Sequence, residues 1–214
     1  MTVMFSKSIT PEQIVQLPLA SFEGEITVID KLGKEFDDAV RYLKSKKVIG
    51  FDTESRPCFS AREPRYGVSL LQLSGAERAF LFRIKMIGMH PALCRILSSP
   101  DIIKVGAAVK DDIMGLQRYR KFNARGFVDL QQTVWEWGIL DKSVKKMAAV
   151  ILGLRISKSQ QLSNWEAPEL SEPQTRYAAT DAWVCREMYI KLLGCEKHPL
   201  TWEEMHPQIQ KDEK

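Results

Sequence analysis

Val48-Ile49-Gly50-Phe51-Asp52-Thr53-Glu54 is an apolar run that ends in two acids one residue apart. A strand buried on both faces reads as such a run. Residues i and i+2 of a strand share a face, so Asp52 and Glu54 are expected to project together from its end. Two buried carboxylates side by side are costly unless a cation neutralises them. The stretch therefore points to a hard divalent metal. Acid-x-acid spacing alone is a weak signal, since Glu23/Glu25 and Glu35/Asp37 share it. The apolar strand in front is what separates Asp52 and Glu54 from such solvated pairs.

Working outward, Glu25-Ile26-Thr27-Val28-Ile29 reads as a strand, and Phe36, Val40 and Leu43 take helical spacing. Thr10-Pro11-Glu12-Gln13 supplies a cap, a first-position proline and a first-turn acid for a short helix within an N-terminal arm, residues 1–24. Downstream, 68–73 and 79–84 flank Ser74-Gly75-Ala76-Glu77 as a hairpin, which gives the sheet antiparallel members. A helix from Pro91, a strand over 102–106, a helix from Lys110 to Arg120 and a strand over 126–130 follow. A helix over 143–152, stopped by Gly153, precedes a long one from Ser171 to Leu193 that opens with the capping box Ser171-x-x-Gln174. This alternation predicts an α/β domain with a mixed sheet over 25–195. Residues 196–214 are polar and proline-broken and read as a tail.

With 214 residues, 44% of them hydrophobic, the chain can bury one sizeable core. It has no apolar stretch long enough to cross a bilayer, and its N-terminus lacks the pattern of a signal peptide. The expectation is a cytoplasmic protein without a membrane partner. Cys58, Cys94, Cys185 and Cys195 lack metal-like or CxxC spacing and read as thiols. His90, His198 and His206 sit beside prolines and are poor candidates for a catalytic base. A net charge of +4 suits a phosphate-bearing partner or an ordinary surface equally. Locally, Arg56, Arg62 and Arg65 follow the acidic strand, among Pro57 and Pro64, and Lys142, Lys145, Lys146, Arg155 and Lys158 crowd a later stretch.

Asp111 and Asp112 open a helix, where the dipole favours acids even without a function. On the last long helix Tyr177 and Asp181, four residues apart, share a face that Val184 and Met188 continue. A carboxylate on an apolar stripe needs a partner. Ala178, Ala179 and Ala182 are small enough to let this helix lie close to the sheet, which would carry Asp181 toward Asp52 and Glu54.

Phe51-Asp52-Thr53-Glu54, Lys104-Val105-Gly106 leading to Asp112, and Tyr177-x-x-x-Asp181 resemble in order and spacing the three motifs of the DEDDy 3′-to-5′ exonucleases. Leu152-Gly153-Leu154, Lys158, Gln161-Leu162-Ser163-Asn164-Trp165-Glu166 and Tyr177-Ala178-Ala179-Thr180-Asp181-Ala182-Trp183 look like the ribonuclease D group and the Werner syndrome exonuclease domain. The resemblance covers roughly 25–193. It implies a ribonuclease H-like fold with a mixed five-stranded sheet flanked by helices. It also implies that Asp52, Glu54, Asp112 and Asp181 ligate two divalent cations, Mg²⁺ or Mn²⁺, and that Tyr177 orients the attacking water. The family has a single acid where Asp111 and Asp112 stand, and the offset from Lys104-Val105-Gly106 favours Asp112. Lys158, Gln161 and Trp165 are candidates to meet the substrate strand or, equally, to anchor a loop.

Oxygen-only ligands suit Mg²⁺ or Mn²⁺, and two such ions can activate water and relieve charge on a phosphodiester. The expected activity is removal of nucleoside 5′-monophosphates from a free 3′ end. The sequence stops soon after the last long helix, without the helical domains that follow in ribonuclease D, which favours DNA slightly over RNA. A catalytically silent nucleic-acid-binding or partner-binding module of the same fold is the alternative, and the intact acids speak against it. A dinucleotide-binding domain is a distant third, because Val105-Gly106-Ala107-Ala108 lacks GxGxxG. Oligomeric state leaves no trace in the sequence.

Overall fold

The structure, a computed structural model, describes residues 4–60 and 66–205. Arg62, Pro64, Arg65 and His206 lie outside the described residues. The first half contains α1 (Pro11–Val15), β1 (Glu25–Ile29), α2 (Lys34–Lys44), β2 (Val48–Ser55), β3 (Val68–Ser74), β4 (Arg78–Arg83), α3 (Ile84–Ile87) and α4 (Pro91–Ser98). Then come β5 (Ile103–Gly106), α5 (Val109–Gln117), β6 (Phe127–Asp129), α6 (Leu130–Thr133), a 3₁₀ turn (Val134–Trp137), α7 (Val144–Leu152), α8 (Glu172–Leu193) and α9 (Trp202–Met205). No helix of the described residues is long and apolar enough to cross a membrane.

The strands form one sheet in the order β1-β4-β3-β2-β5-β6, with antiparallel pairs at β2/β3 and β3/β4 and parallel pairs elsewhere. The expected five strands are therefore corrected to six. Along one edge Glu25 to Ile29 of β1 run parallel to Arg78 to Phe82 of β4. Apolar residues on both faces hold that edge strand: Ile29 belongs to one core, and Ile26 and Val28 pack with Leu70, Leu81 and Trp165 in another.

The alternation of β2 decides what each face does. Ile49 and Phe51 join Leu71, Leu73, Phe80 and Phe82 in the core against Phe36 and Leu43 of α2 and Leu93 and Leu97 of α4. Gly50, Asp52 and Glu54 turn the other way, under α8. That helix is started by the capping box, in which Ser171 and Gln174 bond reciprocally to each other's backbone. It lies close to the strand because Ala178, Ala179 and Ala182 are fully buried and Gly50 has no side chain. A Cβ on Gly50 would sit 1.8 Å from the Ala182 carbonyl oxygen, so any other residue would push α8 off the sheet.

Both flanks pack onto this framework. The Phe22 N–H donates to the Thr180 hydroxyl at 3.0 Å, and its carbonyl accepts from Arg176, which straps the arm to α8. Within the expected tail, Leu200 is buried and its N–H donates to the Trp135 carbonyl at 3.0 Å. Lys7 pairs with Glu204 at 2.5 Å. The reading of 196–214 as a tail missed these contacts because they hang on single residues without periodicity.

Candidate active site

β2 runs between β3 and β5, so its end opens at the middle of the sheet, next to α8. The close contact at Gly50 brings Asp181 over that end. One carboxylate oxygen from each of Asp52, Glu54 and Asp181 lies within 4.8 Å of the others. Among the described residues this trio is the acidic group with metal-ligand spacing.

Asp112 arrives from the other side. After β5 the chain turns at Ala108, in the left-handed region at φ 59°, where its N–H donates to Asp129 at 3.0 Å. The turn starts α5 and aims Asp112 at β2, where it accepts from the Thr53 hydroxyl at 2.5 Å. Asp111 is exposed to solvent. Thr53 escaped the sequence reading, because a Thr between two acids carries no signal until the strand shows that it holds a third.

The electrostatics record crowding. Burial, then Asp181 and Asp112, push Glu54 up to about 9. Burial pushes Asp181 up to about 7, against a favourable hydrogen bond from Tyr177 and the nearby positive charge of Lys158. Asp112 is raised to about 6 by burial, with Thr53 opposing. Asp52 lies well above its ordinary range through burial and its acidic neighbours Asp181, Glu54 and Asp112. Burial, then the neighbouring Asp181, Glu54 and Asp52, raise the Tyr177 hydroxyl, which stays protonated beside Asp181.

Lys158 and Gln161 line a cavity of about 340 Å³ together with Asp52, Glu54, Tyr177 and Asp181. Ser143 and Lys145 at the start of α7 line it too, and Cys185, one turn beyond Asp181, forms part of its buried wall. Of the two readings of Trp165, substrate contact or loop anchor, its burial favours the anchor. It is 0% exposed, packed with Leu70, Leu81 and Ala178, its ring 6.1 Å from that of Tyr177. Its place is beneath Tyr177, as an anchor. His90 caps α4 through Ala92, away from any reaction role.

Half-buried carboxylates that raise one another's pKa, offering only oxygen at the point of convergence, fit a hard divalent cation. A prediction follows for the metal-free protein. A carboxyl whose folded pKa is raised contributes stability below its unfolded pKa and loses it as pH rises toward the folded value. Thermal stability is thus expected to fall between about pH 4 and pH 9, the interval set by ordinary carboxyls and by Glu54 at about 9. Millimolar Mn²⁺ should flatten that slope, and a metal-free melting curve independent of pH over this interval would contradict it.

A family model described as 3′-5′ exonuclease matches residues 29–194. The chain belongs to that family. The mouse (Mus musculus) "Exonuclease 3′-5′ domain-containing protein 2" is 36% identical over 166 residues, 72% of this chain and 25% of the mouse protein. The chain spans about a quarter of the length of such curated relatives. The Aedes aegypti Nibbler EXO domain superposes with a TM-score of 0.70 at 21% identity, covering 89% of this chain and 94% of that one. Trypanosoma brucei RNase D, solved in complex with RNA U12, gives 0.69 at 20% identity, covering 94% and 72%. The fold is ribonuclease H-like, as the sequence resemblance implied.

Proposed function

We propose that the chain is a 3′-to-5′ exonuclease that hydrolyses phosphodiester bonds at the 3′ end of nucleic acid and releases nucleoside 5′-monophosphates. The observation that carries this reading is the convergence of Asp52, Glu54 and Asp181, with Asp112 beside them on Thr53. These four would hold two divalent cations, Mg²⁺ or Mn²⁺. Bound there, the cations would supply a water nucleophile at neutral pH and positive charge for the developing phosphorane and leaving oxygen.

The chain's own groups do the rest. Tyr177, beside Asp181 in the cavity wall, presents its hydroxyl to orient the attacking water. Lys158 and Gln161 face the same cavity and bind the substrate's terminal phosphate and sugar. At about 340 Å³ the cavity lies near the small end of ligand pockets, roughly 300–1,000 Å³, and suits one terminal nucleotide better than a continuous duplex. The unpaired thiols of Cys94, Cys185 and Cys195 suit a reducing compartment such as the cytoplasm. Both DNA and RNA are candidate substrates, RNA through the fold neighbour solved with RNA U12. The test is to incubate 3′-labelled and 5′-labelled DNA and RNA strands with the protein and Mn²⁺ or Mg²⁺. The expected result is immediate release of labelled mononucleotide from the 3′ end and stepwise shortening of the 5′-labelled strand. Internal fragments without mononucleotide, or no metal-dependent product, would overturn the proposal.

A further inference from the structure

Resting on the metal-binding reading above, we infer that Gln72 is a positioning residue that holds the Asp52 carboxylate for the cation. Gln72 is 0% exposed, and neither its amide nitrogen nor its amide oxygen has a hydrogen-bond partner. Buried amides are almost always paired, so both ends of one lying idle in the middle of a sheet asks for a reason. The register supplies it. Gln72 of β3 stands directly opposite Asp52 of β2 in the antiparallel pair, so the two side chains leave the sheet on the same face. Directly opposite residues have Cβ atoms about 4.5–5.5 Å apart, which puts a carboxylate within easy reach of a glutamine side chain.

The surroundings narrow the choice. On that face Gln72 is flanked along its own strand by Leu70 and Ser74 and across the next strand by Leu81, all fully buried. Ala178 of α8 packs with these two leucines. The leucines are apolar and the Ser74 hydroxyl already donates to the Gly75 carbonyl, so Asp52 is the charged group that the pairing places beside the amide. An N–H donated to the carboxylate oxygen turned away from the cation would fix the ligand's orientation and leave its other oxygen free to coordinate. Partners of metal-bound carboxylates act in this way, and losing one costs about 10–100-fold in metal affinity or activity.

The experiment compares wild type with Gln72→Met, which keeps the length and removes both polar ends. Without metal, Gln72→Met should melt at or above the wild-type temperature, because two unpaired buried polar atoms are gone. The Mn²⁺ concentration that gives half of the thermal shift should rise about tenfold, and single-turnover cleavage should fall about tenfold. A Mn²⁺ midpoint within twofold of wild type would overturn the inference, and so would a lowered metal-free melting temperature with an unchanged midpoint. If Gln72→Met does not fold, Gln72→Asn takes its place: its amide is one methylene too short to reach. The same weakened Mn²⁺ shift is then expected, and a wild-type midpoint overturns the inference. The thermal shift reads metal binding without cleavage, so a failure of the exonuclease proposal shows up separately, as wild-type protein that takes Mn²⁺ but releases no nucleotide.

Discussion

Asp52→Asn and Asp181→Asn are each expected to lower cleavage by about 10³-fold or more while leaving a folded protein. Each change deletes a ligand charge at the point where three carboxylates meet and leaves the packing volume almost unaltered. In metal-free buffer the variants should melt at or above wild type, since burial and mutual repulsion already disfavour the charged acids. In Mn²⁺ the order should reverse, because wild type gains more from the ion. Excess chelator should silence wild type to the level of the variants. Asp112→Asn should behave as they do, and Asp111→Asn, whose side chain faces solvent, should stay active. Cleavage by Asp52→Asn within tenfold of wild type, in a folded preparation, would refute the metal-site assignment.

Tyr177→Phe should cost on the order of 10²-fold in single-turnover rate, the scale of one positioned catalytic group. The ring stays on Trp165, 6.1 Å away, so the contact with the core is kept. What disappears is the hydroxyl beside Asp181 at the cavity wall. Substrate affinity and the Mn²⁺-induced rise in melting temperature should change little. Near-normal cleavage would reduce Tyr177 to a packing residue. A large fall in melting temperature would show that the hydroxyl serves the fold.

Much of this architecture is written in local pattern. The apolar run into Asp52 and Glu54, the hairpin around Gly75 and the capping box at Ser171 and Gln174 are short-range signals, and each element lies where they place it. Ala178, Ala179 and Ala182 announce a close helix-to-sheet contact by their small size alone. What stays illegible is whatever depends on the residue across a gap. Trp165 sits in a polar stretch between helices that leaves substrate contact and loop anchor equally open, and only the groove between α8 and Leu70 and Leu81, which buries it completely, favours the anchor. Thr53 and Gln72 look inert along the chain, because their significance lies in partners on α5 and β2. All six strands lie where their apolar runs were read; the count of five came with the family resemblance, and the chain itself carried six.

The seat of α8 on Gly50 also sets a schedule for the molecule. Asp52 and Glu54 are made early in synthesis, Asp112 midway and Asp181 late, on the domain's longest helix. Contacts between such distant stretches are slow to form, since the chain between them must first be ordered. A growing chain still lacking α8 carries two acids of the trio and no third, and it offers a divalent ion only a partial grip. On the exonuclease reading proposed above, hydrolysis is thereby withheld until α8 docks and brings Asp181 to Asp52 and Glu54.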